Sequence, residues 1–290
     1  MAISSPIRKA VIPVAGFGTR VLPATKSIPK ELLPVVDRPL IHYVVDEARE
    51  AGIEHIVFVT GRNKGAIEDY FDHAVELEQA LQAKKKTAIY EDTMTSVLPA
   101  GGCSFTRQQA ALGLGHAIWC ARDIVGQEPF AVLLPDVIIQ GAPNCLKQMV
   151  DKYQDGHNII AVEEVPKDEV NKYGIIAPKG EAKGPLIEMS GMVEKPDVDK
   201  APSNLSITGR YILQPEVFDI LATTGKGAGG EIQLTDAMAD LMAKQPFEAL
   251  VYEGKSHDCG SKIGFVKANV AYAMARDDLS GELKSWLSSL

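Results

Sequence analysis

Along the first half of the chain, short continuous apolar runs alternate with longer stretches of helical spacing. Residues 10–14 form an apolar run that predicts a buried strand. Residues 40–51 set Val44, Val45 and Ala48 on one helical stripe that stops at Gly52, and residues 53–59 return to strand character. A second helix is expected from about Lys64. After a glycine turn at 113–115, Ala117, Ile118, Ala121 and Ile124 fall at helical spacing, and residues 130–134 are continuously apolar, as in a central parallel strand covered on both faces. This is α/β order. Asp136 stands just past that run, at the carboxyl edge where open α/β sheets bind ligands.

The pattern then weakens. Residues 68–86 read as a charged helical stretch ending in Lys84, Lys85 and Lys86, and nothing regular follows up to Gly102, which predicts a surface excursion. The three lysines read as a solvated helix end, where cations oppose the helix dipole, more readily than as a phosphate patch. Beyond Val165, strands are expected at 174–177, 186–194 and 206–213, between Pro and Gly turns. Helices are expected at 235–244, 262–275 and, shorter, 281–287. No repeat is visible, and the 290 residues read as a single domain. Its halves divide near residue 165, the second reaching about 262, with a helical segment over 263–290.

Composition narrows the function. With 46% hydrophobic residues the chain can bury a large core, while a formal net charge of -8 disfavours nucleic acid, which needs a basic surface. No apolar run is long enough for a membrane helix and no signal peptide is visible, so a cytoplasmic location away from membranes is expected. Cys103, Cys120, Cys145 and Cys259 are far apart without a C-x-x-C pair, and are expected as free thiols.

One local reversal of charge stands out. Residues 1–30 contain no Asp or Glu, yet carry Arg8, Lys9, Arg20, Lys26 and Lys30 around the loop Ala15-Gly16-Phe17-Gly18-Thr19-Arg20. Glycines there let the backbone approach a ligand and offer N–H groups, and the cations suit a polyanion such as a nucleoside triphosphate. A dinucleotide fingerprint fails: Val21 stands where its third glycine belongs, and no carboxylate ends the second strand. No Walker A pattern occurs either.

The loop, with Pro29-Lys30 after it, resembles the G-x-G-T-R…P-K pattern of the sugar-nucleotide pyrophosphorylases. Gln108, Gly113-Leu114-Gly115-His116-Ala117, Leu134-Pro135-Asp136, Tyr173-Gly174, Val193-Glu194-Lys195-Pro196, the 230–236 segment Gly-Glu-Ile-Gln-Leu-Thr-Asp and Asp258-Cys259-Gly260-Ser261-Lys262 follow in that family's order. Together they are similar to its bacterial UTP–glucose-1-phosphate uridylyltransferase branch. The resemblance implies a Rossmann-like three-layer α/β fold with a mostly parallel central mixed sheet and an added sugar-binding β region. It also implies Mg²⁺, UTP and glucose 1-phosphate as substrates, UDP-glucose and pyrophosphate as products, and a homodimer or homotetramer. Arg20, Lys30 and Asp136 are the implied catalytic residues. Ala15, Gly16, Gly18, Thr19, Gln108 and Gly113 join Arg20 and Lys30 around the nucleotide; Gly174, Glu194 and Lys195 meet the sugar phosphate; Asp136 and Asp258 hold the metal. His116 is read as a polar neighbour of the nucleotide loop, and Glu231 and Asp236 as structural acids. Two rivals remain open at this stage: a transferase of the same fold using dTTP, and a non-catalytic nucleotide-sugar sensor.

Overall fold

The computed structural model describes residues 6–180 and 184–290. The chain enters through β1 (Lys9–Val14) and a loop holding three single tight helical turns, Thr19–Val21, Ala24–Lys26 and Lys30–Leu32. A short ladder, β2 (Pro34–Val35) with β3 (Arg38–Pro39), leads to α1 (Leu40–Glu50), β4 (His55–Thr60), α2 (Gly65–Tyr70), α3 (Val75–Ala83) and α4 (Thr87–Met94). Then come β5 (Cys103–Arg107), α5 (Leu114–Trp119), α6 (Arg122–Val125), β6 (Phe130–Leu133), β7 (Val137–Gln140), α7 (Cys145–Lys152) and β8 (Asn158–Glu164). The remainder is β9 (Gly174–Pro178), β10 (Leu186–Glu194), β11 (Leu205–Leu213), α8 (Val217–Leu221), α9 (Leu234–Met242), β12 (Phe247–Val251), β13 (Lys255–Asp258), α10 (Lys262–Met274) and α11 (Asp277–Leu287).

One nine-stranded sheet organises these elements, in the order β5-β4-β1-β6-β11-β8-β12-β10-β9. Side chains along each strand alternate between its faces, so β1 sends Ala10, Ile12 and Val14 into one core and Val11 into the other. Helices α1, α7 and α10 cover the first core, with Leu40, Val44, Leu146, Met149 and Ala268 buried in it. Helices α5, α8 and α9 cover the second through Ile118, Val217, Leu234 and Met238. Three layers result, and double burial is why the central strands read as unbroken apolar runs.

Strands β5, β4, β1 and β6 are parallel, but β6 meets β11 antiparallel on its other side. The strand expected over 130–134 is thus parallel to one neighbour only. The reversal has a consequence for the site: β11 begins at the edge where β1, β4 and β6 end. The helical stretch expected over 68–86 is the end of α2 followed by α3, broken over residues 71–74, and α4 follows where no pattern was visible. Helix α4 buries no residue, so it left no apolar stripe to read. Lys84, Lys85 and Lys86 are exposed past the end of α3, and all four cysteines are free.

Candidate active site

The loop after β1 folds back on itself through Gly18, whose φ of 67° is left-handed. A Cβ there would lie 3.1 Å from the Lys30 Cβ and 3.2 Å from Thr25, and the Thr25 hydroxyl donates to the Gly18 carbonyl at 2.7 Å. Glycine is required on both counts. Behind the loop, the end of β4 presses on Ala15, since a Cβ on Gly61 would sit 3.0 Å from the Ala15 carbonyl oxygen. Gly16, Thr19 and Arg20 remain exposed. Beneath Lys30 the turn is anchored by Glu31, which is buried and accepts from Lys64 Nζ at 2.7 Å.

Lys30 Nζ and Arg20 Nη2 both donate to Asp136 Oδ2, at 2.7 and 3.3 Å. Burial alone would raise the Asp136 carboxyl, but Lys30 and then Arg20 outweigh it and hold it below its ordinary value. The ion pairs therefore add stability above the ordinary carboxylate range and lose it as pH falls through the lower folded value. We expect the stability of Asp136→Asn to fall less steeply below about pH 4 than that of the parent chain, read by unfolding across pH. Asp258 ends β13, paired in register with Val137, and the Cys259 N–H donates to the Asp136 carbonyl at 2.8 Å. Gly260 lets Arg20 pass, because a Cβ there would lie 2.7 Å from Arg20 Nη2.

On the far side of β1 and β4, Gln108 follows β5 and is buried. Its Nε2 donates to the Gly113 carbonyl at 3.0 Å and faces His116 Nδ1 at 3.1 Å. Burial, helped by Arg122, pushes the His116 pKa down, so the ring stays neutral and accepts. Gly113 has φ 104°, and a Cβ would lie 2.7 Å from both the Ile232 carbonyl oxygen and Glu231 Cβ. The loop is clamped there by Gly115 N–H to Ile232 O at 2.9 Å and Ile232 N–H to Leu112 O at 2.7 Å. Gly113→Ala is expected to cost about 1–3 kcal/mol of stability and to weaken nucleotide binding, read by thermal unfolding and UTP titration. Glu231 lies exposed beside Gly113, and Asp236 stands in the first turn of α9.

The third cluster sits where β9 starts and β10 ends. Gly174 pairs with Glu194, and a Cβ on Gly174 would lie 3.1 Å from both Glu194 Oε2 and Ile207 of β11. Thr235 donates its hydroxyl to Glu194 Oε2 at 2.9 Å, and Lys195 Nζ stands 3.5 Å from Glu194 Oε1. Lys195 itself has φ 47°, a left-handed conformation that a side-chain-bearing residue adopts at a cost, and it remains exposed. Buried Tyr211 on β11 links this cluster to the Asp136 side: burial first, then Glu194 and Asp136, push its hydroxyl up. The sequence-derived residues thus gather along one sheet edge in three groups.

Residues 9–275 match the family described as nucleotidyl transferase. The chain belongs to that family. It is 47% identical over 285 residues to the UTP–glucose-1-phosphate uridylyltransferase of Staphylococcus epidermidis, across 98% of each chain. A solved UTP-bound UGPase from Acinetobacter baumannii shares the fold with a TM-score of 0.90 and 46% identity, over 98% of this chain and 99% of that one. A UDP-glucose pyrophosphorylase complexed with UDP-glucose gives 0.82 and 44%, over 93% and 100%. The three-layer nucleotidyltransferase fold expected from the motifs is the fold found.

Nucleotidyl transferases generally take a divalent metal. Among the described residues no group of three or more His, Cys, Asp or Glu side chains could hold one unaided. Asp258, in register with Val137, stands one residue along the ladder from Asp136, and the two offer the one or two carboxylates a hard cation needs when phosphate and water complete its shell. Two charged residues escaped the sequence reading, Arg210 on β11 and Glu47 on α1. Arg210 is fully buried and its guanidinium reaches the turn that carries Asp136. The available signal was an arginine inside an apolar strand and an acid beside the apolar stripe of α1.

Proposed function

We infer that this nucleotidyl transferase joins UTP and glucose 1-phosphate into UDP-glucose and pyrophosphate. The observation that carries the reading is the convergence on one sheet edge of Lys30 and Arg20 with Asp136, beside Glu194 and Lys195. The relative named for this reaction is 47% identical over nearly the whole chain.

A phosphate oxygen of glucose 1-phosphate attacks the α-phosphorus of UTP. As that P–O bond forms, the bond from the α-phosphorus to the bridging oxygen breaks, and this oxygen keeps its electron pair in the departing pyrophosphate. No enzyme nucleophile is required, so positioning and charge carry the catalysis. Arg20 grips phosphate oxygens through its planar fork, and Lys30 follows the transferring group as a point charge. Asp136 holds the two cations side by side and offsets part of their charge. Gln108 and the backbone of Ala15, Gly16 and Gly113 read the uracil edge: the Gln108 N–H side is committed to Gly113, leaving its amide oxygen for the base. Glu194 accepts from sugar hydroxyls, Gly174 adds backbone, and Lys195 meets the sugar phosphate. Mg²⁺ is the cation we assign to Asp136 and Asp258, and it supplies neutralisation of phosphate charge.

The same reading takes the chain as one cytoplasmic domain that forms a homodimer or homotetramer, with the nucleotide held by residues up to about 165 and the sugar phosphate by about 166–262. Among the described residues no helix is long and apolar enough to cross a membrane. Pyrophosphate release with Mg²⁺ and glucose 1-phosphate, comparing UTP with dTTP, ATP, CTP and GTP, tests the reaction. UTP preference supports it. Preference for dTTP moves the chain to a sister activity, and silence with every pair despite UDP-glucose binding makes it a sensor.

A further inference from the structure

We propose that Arg210, held by Glu47, is a positioning residue that fixes the direction of the Asp136 side chain by gripping both ends of the turn that carries it. The proposal rests on the uridylyl-transfer reading above.

The turn is Leu134-Pro135-Asp136-Val137, with proline at the position that favours its fixed φ. Its own closing hydrogen bond, Val137 N–H to Leu134 O, is 3.5 Å long and therefore weak. Arg210 supplies what that bond lacks. Its Nη1 donates to the Leu134 carbonyl at 3.1 Å and its Nη2 to the Val137 carbonyl at 2.7 Å, so one rigid plane spans the first and last residues of the turn. Nη1 also donates to the Gly209 carbonyl at 3.2 Å, while Nε and Nη2 donate to the Glu47 carboxylate at 3.1 and 2.8 Å. All five N–H donors are engaged. Glu47 is fixed in turn, because its Oε1 accepts from the Leu146 N–H at the start of α7 at 3.1 Å. The remaining carbonyl of interest, that of Asp136, is pinned by Cys259. On the backbone fixed this way, the Asp136 carboxylate meets Lys30 at 2.7 Å and Arg20 at 3.3 Å.

Stability does not explain the arrangement. Arg210 is fully buried and Glu47 nearly so, and a buried ion pair is often matched or bettered by apolar residues of similar volume. Lysine is no substitute, since donors radiating from a single nitrogen cannot bridge two carbonyls and a carboxylate as the planar fork does.

The test uses the full chain, its Arg210→Lys variant and the apolar replacement Glu47→Leu/Arg210→Met, assayed by thermal unfolding, by kcat and KM for pyrophosphate release, and by crystallography of the Asp136 turn. In both variants we expect kcat to fall by about 10- to 100-fold, as for a small misplacement of a reacting group, while KM for UTP changes by less than about threefold. Both variants should still unfold cooperatively, and in both the Asp136 carboxylate should lose its hydrogen bond to Lys30. Parent-like kcat with the Asp136 carboxylate still on Lys30 in either folded variant overturns the proposal. Failure of both variants to unfold cooperatively overturns it too, by making the pair structural. A parent chain silent towards UTP refutes the reaction instead, and the crystal structures still decide the positioning.

Discussion

Asp136→Ala is expected to leave a folded protein whose kcat for pyrophosphate release is lower by roughly 10²–10³, the effect of removing one preorganised charge-stabilising group. The carboxylate is the meeting point of Lys30 at 2.7 Å and Arg20 at 3.3 Å, so its loss frees both cations at once. Folding should survive, because the Asp136 backbone is held through its carbonyl by Cys259, and the neighbouring carbonyls by Arg210, none of which depends on the side chain. Steady-state kinetics beside a thermal melt decide the matter. A folded variant that turns over normally removes Asp136 from the chemistry.

Lys195→Ala is expected to act on the other substrate, raising KM for glucose 1-phosphate by about 10- to 100-fold, the equivalent of losing a charge-assisted contact, and KM for UTP by less than about threefold. The design of the variant matters. Lys195 sits at φ 47°, and alanine keeps a Cβ there, so the left-handed backbone is as costly before the change as after it. What is removed is the ammonium and its stem. Equal rises in both KM values would mean that Lys195 supports the whole site and not the sugar phosphate side.

Where local pattern and burial coincide, the sequence was legible. β1, α1 and β6 could be read because each buries residues at its own period, and the glycine turn before α5 announced itself. Elements stabilised by remote partners could not be read. Among the described residues β7 and β13 pair only with each other, 115 to 121 positions apart in register, and the short segment Lys-Ser-His-Asp has no periodicity of its own. β5 is a half-buried edge strand of mixed polarity, and α4 buries nothing. The same division runs through the site. Arg20, Lys30 and Gln108 belong to recognisable local motifs, whereas Arg210 takes its meaning from Glu47, 163 residues earlier. Thr235 lay within a recognised motif, but its bond to Glu194 appears only once β10 and α9 are packed together.

The clamp of Gly113 and Gly115 against Ile232 bears on biosynthesis. A ribosome delivering about 5–20 residues per second reaches Ile232 some 6 to 24 seconds after Gly113. Until then the glycine turn has nothing to close on. Arg210, which grips the Asp136 turn, also emerges long after the residues it serves. A nascent chain can therefore build β1, β4 and β6 early and still lack the closed turn at Gly113, and a product truncated before residue 232 carries the glycine loop after β1 without that closure.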